Sequence, residues 1–142
     1  MDVNPEACGC TLETCRGHGV GPSVDALCAD LLGPLRPRLD GAVDVLLFNP
    51  PYVPTPAEEV ERGGIAAAWA GGERGRVVID RVLPQVPHLL SPGGRMYMVA
   101  LRENAPGELL AWGRELGLES EVVLERRADE EFLCVIRYVR PA

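Results

Sequence analysis

An α/β fold, with a mostly parallel sheet closed by an antiparallel hairpin, is the class that these 142 residues predict. Three observations carry it. Helical segments alternate with strand-like apolar runs along the chain. Two of those runs, VDVLLF (Val43–Phe48) and RMYMVAL (Arg95–Leu101), are nearly continuous in apolar character, the pattern of strands covered on both faces in a parallel sheet. The last two strand candidates, Glu119–Glu125 and Phe132–Val139, are joined only through the polar RRADEE, which suits a hairpin.

The elements follow in chain order. Asn4-Pro5-Glu6 supplies an N-cap, a proline at the first helical position and an acid in the first turn. The helix they open is expected to reach about Arg16 and stop at Gly17 or Gly19. Val24–Leu27 is a short strand candidate that ends near Asp30. Leu31–Leu39 is broken by Pro34 and Pro37. Residues 50–75 are rich in Pro, Gly and Glu and read as a long loop, a feature of functional or disordered segments. Gly75–Leu90 reads as a helix disturbed by Pro84 and Pro87, SPGG (Ser91–Gly94) as a turn, and Pro106–Leu116 as a helix ended by Gly117.

Composition narrows the class of protein. The chain is 46% hydrophobic, is one domain or part of one, and has no apolar run of membrane-spanning length. Its first residues have neither a basic nor an apolar leader region, so the cytoplasm is the expected location, with the nucleus as a second. The five cysteines form no CxxC pair. Cys8 and Cys10 could open a metal site, but no second pair or His cluster completes one, so reduced thiols and no metal are expected. Net charge is −7, and all 14 basic residues are Arg. An acidic surface repels phosphate backbones and argues against a nucleic-acid partner.

In an open α/β sheet, ligands sit beyond the carboxyl ends of the strands. Asp2, Asp30 and Asn49 fall at such ends. The stretch LLFNPPYVPTP then has a physical reading. The Asn49 amide can accept and donate hydrogen bonds. Pro50 has no N–H but keeps its carbonyl, and consecutive prolines hold that carbonyl at a fixed angle. Tyr52 adds a flat face. Two acceptors and a ring form a cup for a planar –NH2 on an sp² carbon, with both N–H bonds pinned and the nitrogen aimed at an electrophile. The alternative for a bare NPP is a turn that merely ends a strand.

VDVLLFNPPYVPTP resembles the signature of S-adenosylmethionine-dependent amino-methyltransferases, shared by release-factor glutamine methyltransferases and by DNA adenine and cytosine amino-methyltransferases. DVNPEACGCTLETCR, CADLLGPL and IAAAWAGGERGRVVIDRVLPQVPHLLSPGG extend the likeness over almost the whole chain to the eukaryotic HemK-type enzymes, which methylate the glutamine of the GGQ tripeptide in a translation release factor. The resemblance implies a Rossmann-like class I methyltransferase sheet. It makes Asn49, Pro50 and Tyr52 the catalytic cup, Asp2 the ribose-binding acid, Asp30 the acceptor of the adenine amine and Leu31 a neighbour of the ring. Asn49 also belongs to the cofactor side. Without the family, Asp2 is a helix-cap acid and Asp30 a solvated loop acid. Trp69, Gly71 and Gly72 are placed in a loop that closes near the substrate; a core anchor is the alternative for Trp69. His18 and His88 have no catalytic partner in view. A small zinc-binding activator subunit is the implied partner, docking on the edge that Val24–Leu27 would form.

The family's first strand ends in an E-x-G-x-G type turn that meets the methionine part of the cofactor. No such turn occurs in these residues, and the Gly pairs at 63–64, 71–72 and 93–94 lie elsewhere. The expectation is that residues 1–142 are the C-terminal part of a single methyltransferase domain, with an incomplete sheet and VDVLLF left as an open edge. The functional expectation is N5-glutamine methylation of a release factor. The alternatives are a non-catalytic form unable to bind cofactor, and a DNA adenine-N6 methyltransferase.

Overall fold

The computed structural model describes residues 1–128 and 131–142. The chain divides into two units, Met1–Arg36 and Pro37–Ala142.

The first unit is built on helix α1 (Pro5–Gly17), which starts as its sequence predicts. Asn4 is extended, its side-chain oxygen accepts the Glu6 N–H at 2.9 Å, and Pro5 fills the first turn. The chain then leaves the helix through His18, with Gly19 at a positive φ of 73°. The strand expected at Val24–Leu27 does not form. Gly21–Ser23 is a 3-10 turn, and the unit's only β-pairing among the described residues is a single parallel bridge, Asp2 to Cys28. The physical reason is register: the bridge is parallel, so Val24–Leu27 would pair with positions before Asp2, and of residues 1–142 only Met1 lies there. A second 3-10 turn, Gly33–Leu35, marks the break expected at Pro34.

The second unit holds a four-stranded sheet. Strands β1 (Val43–Phe48), β2 (Leu90–Leu101), β3 (Glu119–Ala128) and β4 (Glu131–Val139) lie in the order β1-β2-β4-β3. β1 and β2 are parallel, whereas β2–β4 and β3–β4 are antiparallel. The mixed α/β class and the closing hairpin are therefore as expected, with the parallel character confined to one pair. The hairpin strands take in most of RRADEE. Its Asp129 and Glu130 lie outside the described residues. The centre of the sheet is apolar because buried side chains meet across the ladder: Met96 opposite Tyr138, Met98 opposite Ile136 and Ala100 opposite Cys134.

Both-face burial is not what β1 shows. It is an edge strand, with Val45 58% and Leu47 75% exposed, as an open VDVLLF edge requires. The opposite edge is managed differently. β3 carries Glu119, Glu121, Glu125, Arg126 and Arg127, and a bulge makes Val123 an extra residue between the Val122 and Leu124 pairings. SPGG is also a bulge, not a turn before the strand. It is looped out within β2, between the pairings Val43–Leu90 and Val45–Arg95. Gly93 takes φ 76°, and Arg140 staples the excursion through Gly93 N–H to Arg140 O and Arg140 N–H to Gly94 O, both 2.9 Å.

The segment 50–75 is not one loop. It contains α2 (Ala57–Arg62) and 3-10 turns at Gly64–Ala68 and Glu73–Gly75. AEEVER is a good helix former, but too short to show periodicity against the surrounding Pro and Gly. The helix expected over Gly75–Leu90 splits into α3 (Val77–Val82), a 3-10 turn (Leu83–Gln85) and α4 (Val86–Leu89). Pro84 and Pro87 each stand in the opening positions of a new segment. Ile79, Val82, Leu83 and Val86 nevertheless keep helical spacing and are all buried.

Helix α5 (Pro106–Glu115) packs on β3 and β4, and Gly117 follows it at φ 82°. Its contact is Gly113 against the buried Tyr138 ring. The Tyr138 hydroxyl donates to Leu109 O at 3.3 Å, and burial pushes that hydroxyl well above its ordinary pKa. A Cβ at position 113 would lie 2.5 Å from Tyr138 Cε1. Gly113→Ala is therefore expected to destabilise the second unit by about 1–3 kcal/mol, the usual cost of overpacking. The midpoint of urea unfolding measures it, and an unchanged midpoint would show that α5 can slide freely.

Candidate functional site

β1 delivers the NPPY motif to the carboxyl end of the sheet. Asn49 is exposed, Pro50 is buried, and Pro51 and Tyr52 are half-buried. Among the described residues nothing hydrogen-bonds the Asn49 amide or the Pro50 carbonyl. Both polar groups expected of the cup are therefore uncommitted among the described residues, just beyond the end of β1.

Downstream, the strap is held by a second segment running parallel to it. Val53 N–H donates to Trp69 O at 3.0 Å, Gly71 N–H to Val53 O at 2.8 Å, and Thr55 N–H to Gly72 O at 3.1 Å. Thr55 Oγ1 accepts the Gly72 N–H at 3.1 Å. The spacing of the prolines explains why this works. Val53 and Thr55 have the N–H groups that point at the partner, and Pro54 and Pro56 fill positions that need none. Gly71 and Gly72 are buried, and a Cβ on Gly71 would come within 2.6 Å of Pro51 O. The AGG stretch thus backs the motif. Trp69 contributes its carbonyl and is 42% exposed, so it is not a core anchor.

A residue that sequence reasoning missed ties these pieces together. Asn104, in the 3-10 turn Arg102–Asn104 after β2, is completely buried. Its Oδ1 accepts the Leu101 N–H at 2.6 Å. Its Nδ2 donates to Tyr52 O and Arg74 O, each at 2.8 Å, with Gly75 O further off at 3.5 Å. Asn104 sits in REN, between a strand and a helix, and only its type, a carboxamide in an otherwise charged turn, hinted at a role.

The ERG turn opposite is shaped to meet it. Gly72 and Gly75 have φ of 68° and Arg74 has φ of 55°, a conformation that L side chains rarely adopt. Arg74 and Arg76 both bridge Glu108 on α5, at 2.7 and 3.0 Å, and Arg76 also reaches Asp80. The hydrogen bond from Arg74 holds the Glu108 carboxyl below its ordinary range. That contribution to stability is present above the usual carboxylate pKa and fades as pH falls through the depressed value. At the exposed Glu108 it is small.

Asp2, Asp30 and Leu31 belong to the first unit. Asp2 is not a loose terminus. Its N–H donates to Leu27 O at 3.1 Å, its carbonyl accepts from Ala29 at 2.9 Å, and its Oδ1 accepts the Asn4 N–H at 2.9 Å. The bridge to Cys28 places Asp30 two residues further along the neighbouring segment, so the unit brings these two exposed carboxylates onto adjacent strands of backbone. Leu31 is half-buried at φ 55°, a strained turn conformation that follows directly on Asp30. The five cysteines are all free thiols. His18 caps α1, and His88 is exposed in α4.

No family model matches the chain. "Methyltransferase HEMK2" of Mus musculus is 50% identical over 137 residues, covering 96% of this chain and 63% of its own. "eRF1 methyltransferase catalytic subunit mtq2" of Schizosaccharomyces pombe is 41% identical over 105 residues, 72% of this chain and 46% of its own. Among solved structures, the E. cuniculi Mtq2-Trm112 complex described as responsible for methylation of the eRF1 termination factor superposes with a TM-score of 0.65 at 28% identity. It covers 88% of this chain and 66% of the matched one. The chain thus spans somewhat under two thirds of the curated mammalian relatives it matches.

Gly75 is the tightest point of the arrangement. A Cβ there would lie 1.9 Å from Tyr52 O and 2.4 Å from Asn104 Nδ2, at a φ that penalises any side chain. Gly75→Ala is expected to be strongly destabilising, by more than about 3 kcal/mol, since steric overlap and backbone strain add. Thermal unfolding tests this, and a loss below the Gly113→Ala value would contradict the close approach.

Proposed function

Because the chain is a homologue of the HEMK2 methyltransferases along nearly all of its length, we propose that it is the acceptor-binding part of a protein N5-glutamine methyltransferase acting on the GGQ motif of a translation release factor. The observation that carries this reading is the NPPY motif itself. Among the described residues its Asn49 amide and Pro50 carbonyl have no hydrogen-bond partner at the end of β1, on a strap braced by the AGG stretch and by Asn104. Asn49 and the Pro50 carbonyl take the two N–H bonds of the glutamine amide, and Tyr52 presents a flat face to it. Held so, the amide nitrogen is oriented for an in-line displacement and its growing N–H acidity is stabilised.

The cofactor of this reading is S-adenosylmethionine, which supplies an electrophilic methyl group when bound. The donor set fits the nucleoside half: the exposed Asp2 carboxylate suits ribose hydroxyls, Asp30 suits the adenine amine, and Leu31 offers apolar contact. The charged methionine half needs donors that residues 1–142 do not carry as a Gly-rich turn. A small zinc-binding activator subunit is the proposed partner, supported by the Mtq2-Trm112 complex, and the cytoplasm and nucleus are the proposed setting. The net charge of −7 favours protein over DNA as acceptor.

Two measurements test the reading. In a domain completed with the Gly-rich cofactor turn and with the activator subunit present, a GGQ-bearing release factor and adenine-containing DNA compete for labelled methyl groups. The release factor is expected to take the label, and Asn49→Ala to lower kcat by about 10²–10³, the cost of one well-placed polar group. Label in DNA, or near-normal turnover by Asn49→Ala, would overturn it. Separately, isothermal titration of S-adenosylmethionine into residues 1–142 alone is expected to give no measurable heat of binding. Several hydrogen bonds to the charged half are missing, at about 0.5–1.5 kcal/mol each or more. Micromolar affinity would show that these residues suffice for the cofactor.

A further inference from the structure

We propose that Asn104 is a positioning residue of the acceptor cup: by gripping the Tyr52 carbonyl, it fixes where Asn49 and Pro50 stand. The inference rests on the acceptor reading of NPPY. The grip itself is set by hydrogen bonds that hold whatever the cup binds.

A strap that contains Pro50, Pro51, Pro54 and Pro56 is short of donors, and the neighbouring AGG stretch bonds it only from Val53 onward. The residues before Val53 are held otherwise. Among the described residues the Tyr52 carbonyl accepts from a single donor, Asn104 Nδ2 at 2.8 Å. That same nitrogen donates to Arg74 O at 2.8 Å, so one –NH2 group spans the strap and the ERG turn. Its oxygen is committed to the Leu101 N–H at 2.6 Å, which anchors the group to the end of β2. β2 is the parallel neighbour of β1, with Phe48 opposite Met98. Asn104 therefore refers the motif to the same strand that holds β1 in register.

No other side-chain type does all of this. Asp has the shape and can keep the Leu101 bond, but it brings a carboxylate up to two carbonyl oxygens. Gln is longer by one methylene, in a site with no exposed surface. A buried amide also cannot turn to water if the strap moves, so the arrangement has one low-energy position. For a cup that must hold both N–H bonds of an amide, that single position is the useful property.

The test separates positioning from simple folding. Hydrogen exchange is followed on the 142-residue chain and on its Asn104→Asp and Asn104→Ala variants. The hydrogen-bonded amides of Val53, Thr55 and Gly71 report the strap, and amides of Met96 and Met98 report the sheet. The expected result is strap exchange faster by about tenfold or more with the sheet amides changed far less, because opening is local. Asn104→Asp should be as damaging as Asn104→Ala, since both lose the donors. Uniform acceleration of strap and sheet, or an Asn104→Asp variant that behaves as the parent, would overturn the proposal and leave Asn104 a cap for Leu101. If both variants fail to fold, the parent decides. Its Asn104 side-chain amide protons should exchange at least about tenfold more slowly than those of Asn49, and equal rates would overturn the grip. Binding of a GGQ-bearing peptide is measured in parallel. Its dissociation constant should rise by about tenfold in Asn104→Asp, the equivalent of one hydrogen bond. A parent chain that binds no such peptide would sink the acceptor reading, while the exchange data still decide the grip.

Discussion

A carboxamide sealed from water must find partners for its donors and its acceptor, because each group left unmet costs on the order of 1–3 kcal/mol. In this chain that constraint falls on Asn104, and much of the second unit is arranged around meeting it. The end of β2 supplies an N–H, the NPPY strap a carbonyl, and the ERG turn another carbonyl. The turn can offer Arg74 O only because Gly72, Arg74 and Gly75 take left-handed backbone, and Gly75 can approach only because it has no Cβ. Arg74 and Arg76 then bind the turn to Glu108 on α5.

The strap and its backing show a second constraint at work. Proline gives rigidity by giving up donors, so a proline-rich segment can pair only where non-prolines fall at the right alternation. Val53 and Thr55 do so, and the partner stretch is Ala-Gly-Gly because backbone must lie against backbone. The loop expected to close near the substrate also backs the motif, through its Ala70, Gly71 and Gly72. Among the described residues this leaves the Asn49 amide and the Pro50 carbonyl uncommitted while the chain on either side of them is held.

The two edges of the sheet follow different physics. β3 is charged and bulged, features that discourage a further strand. β1 presents Val45 and Leu47 to solvent on an apolar strand. A strand with that composition is usually covered on both faces. The similar solved structure and the curated relatives are longer than this chain, which spans 66% of the one and 63–64% of the mammalian pair.

Short-range chemistry was open to reading from the residues alone. The Asn4-Pro5 helix start, the Gly117 stop, the two apolar strands and the closing hairpin depend on neighbours within a few positions or on simple periodicity. The sequence by itself determined the class of fold and which residues stand at the end of β1. The failures share a cause. Val24–Leu27 has strand composition but among the described residues no strand to pair with, SPGG has turn composition but is held within β2 by Arg140, and Asn104 looks like any turn residue. Asn104 acquires its meaning from Tyr52 and Arg74, 52 and 30 positions away. Only the tertiary structure decided those matters, because a hydrogen bond between distant segments depends on where the chain returns, and no local preference encodes that.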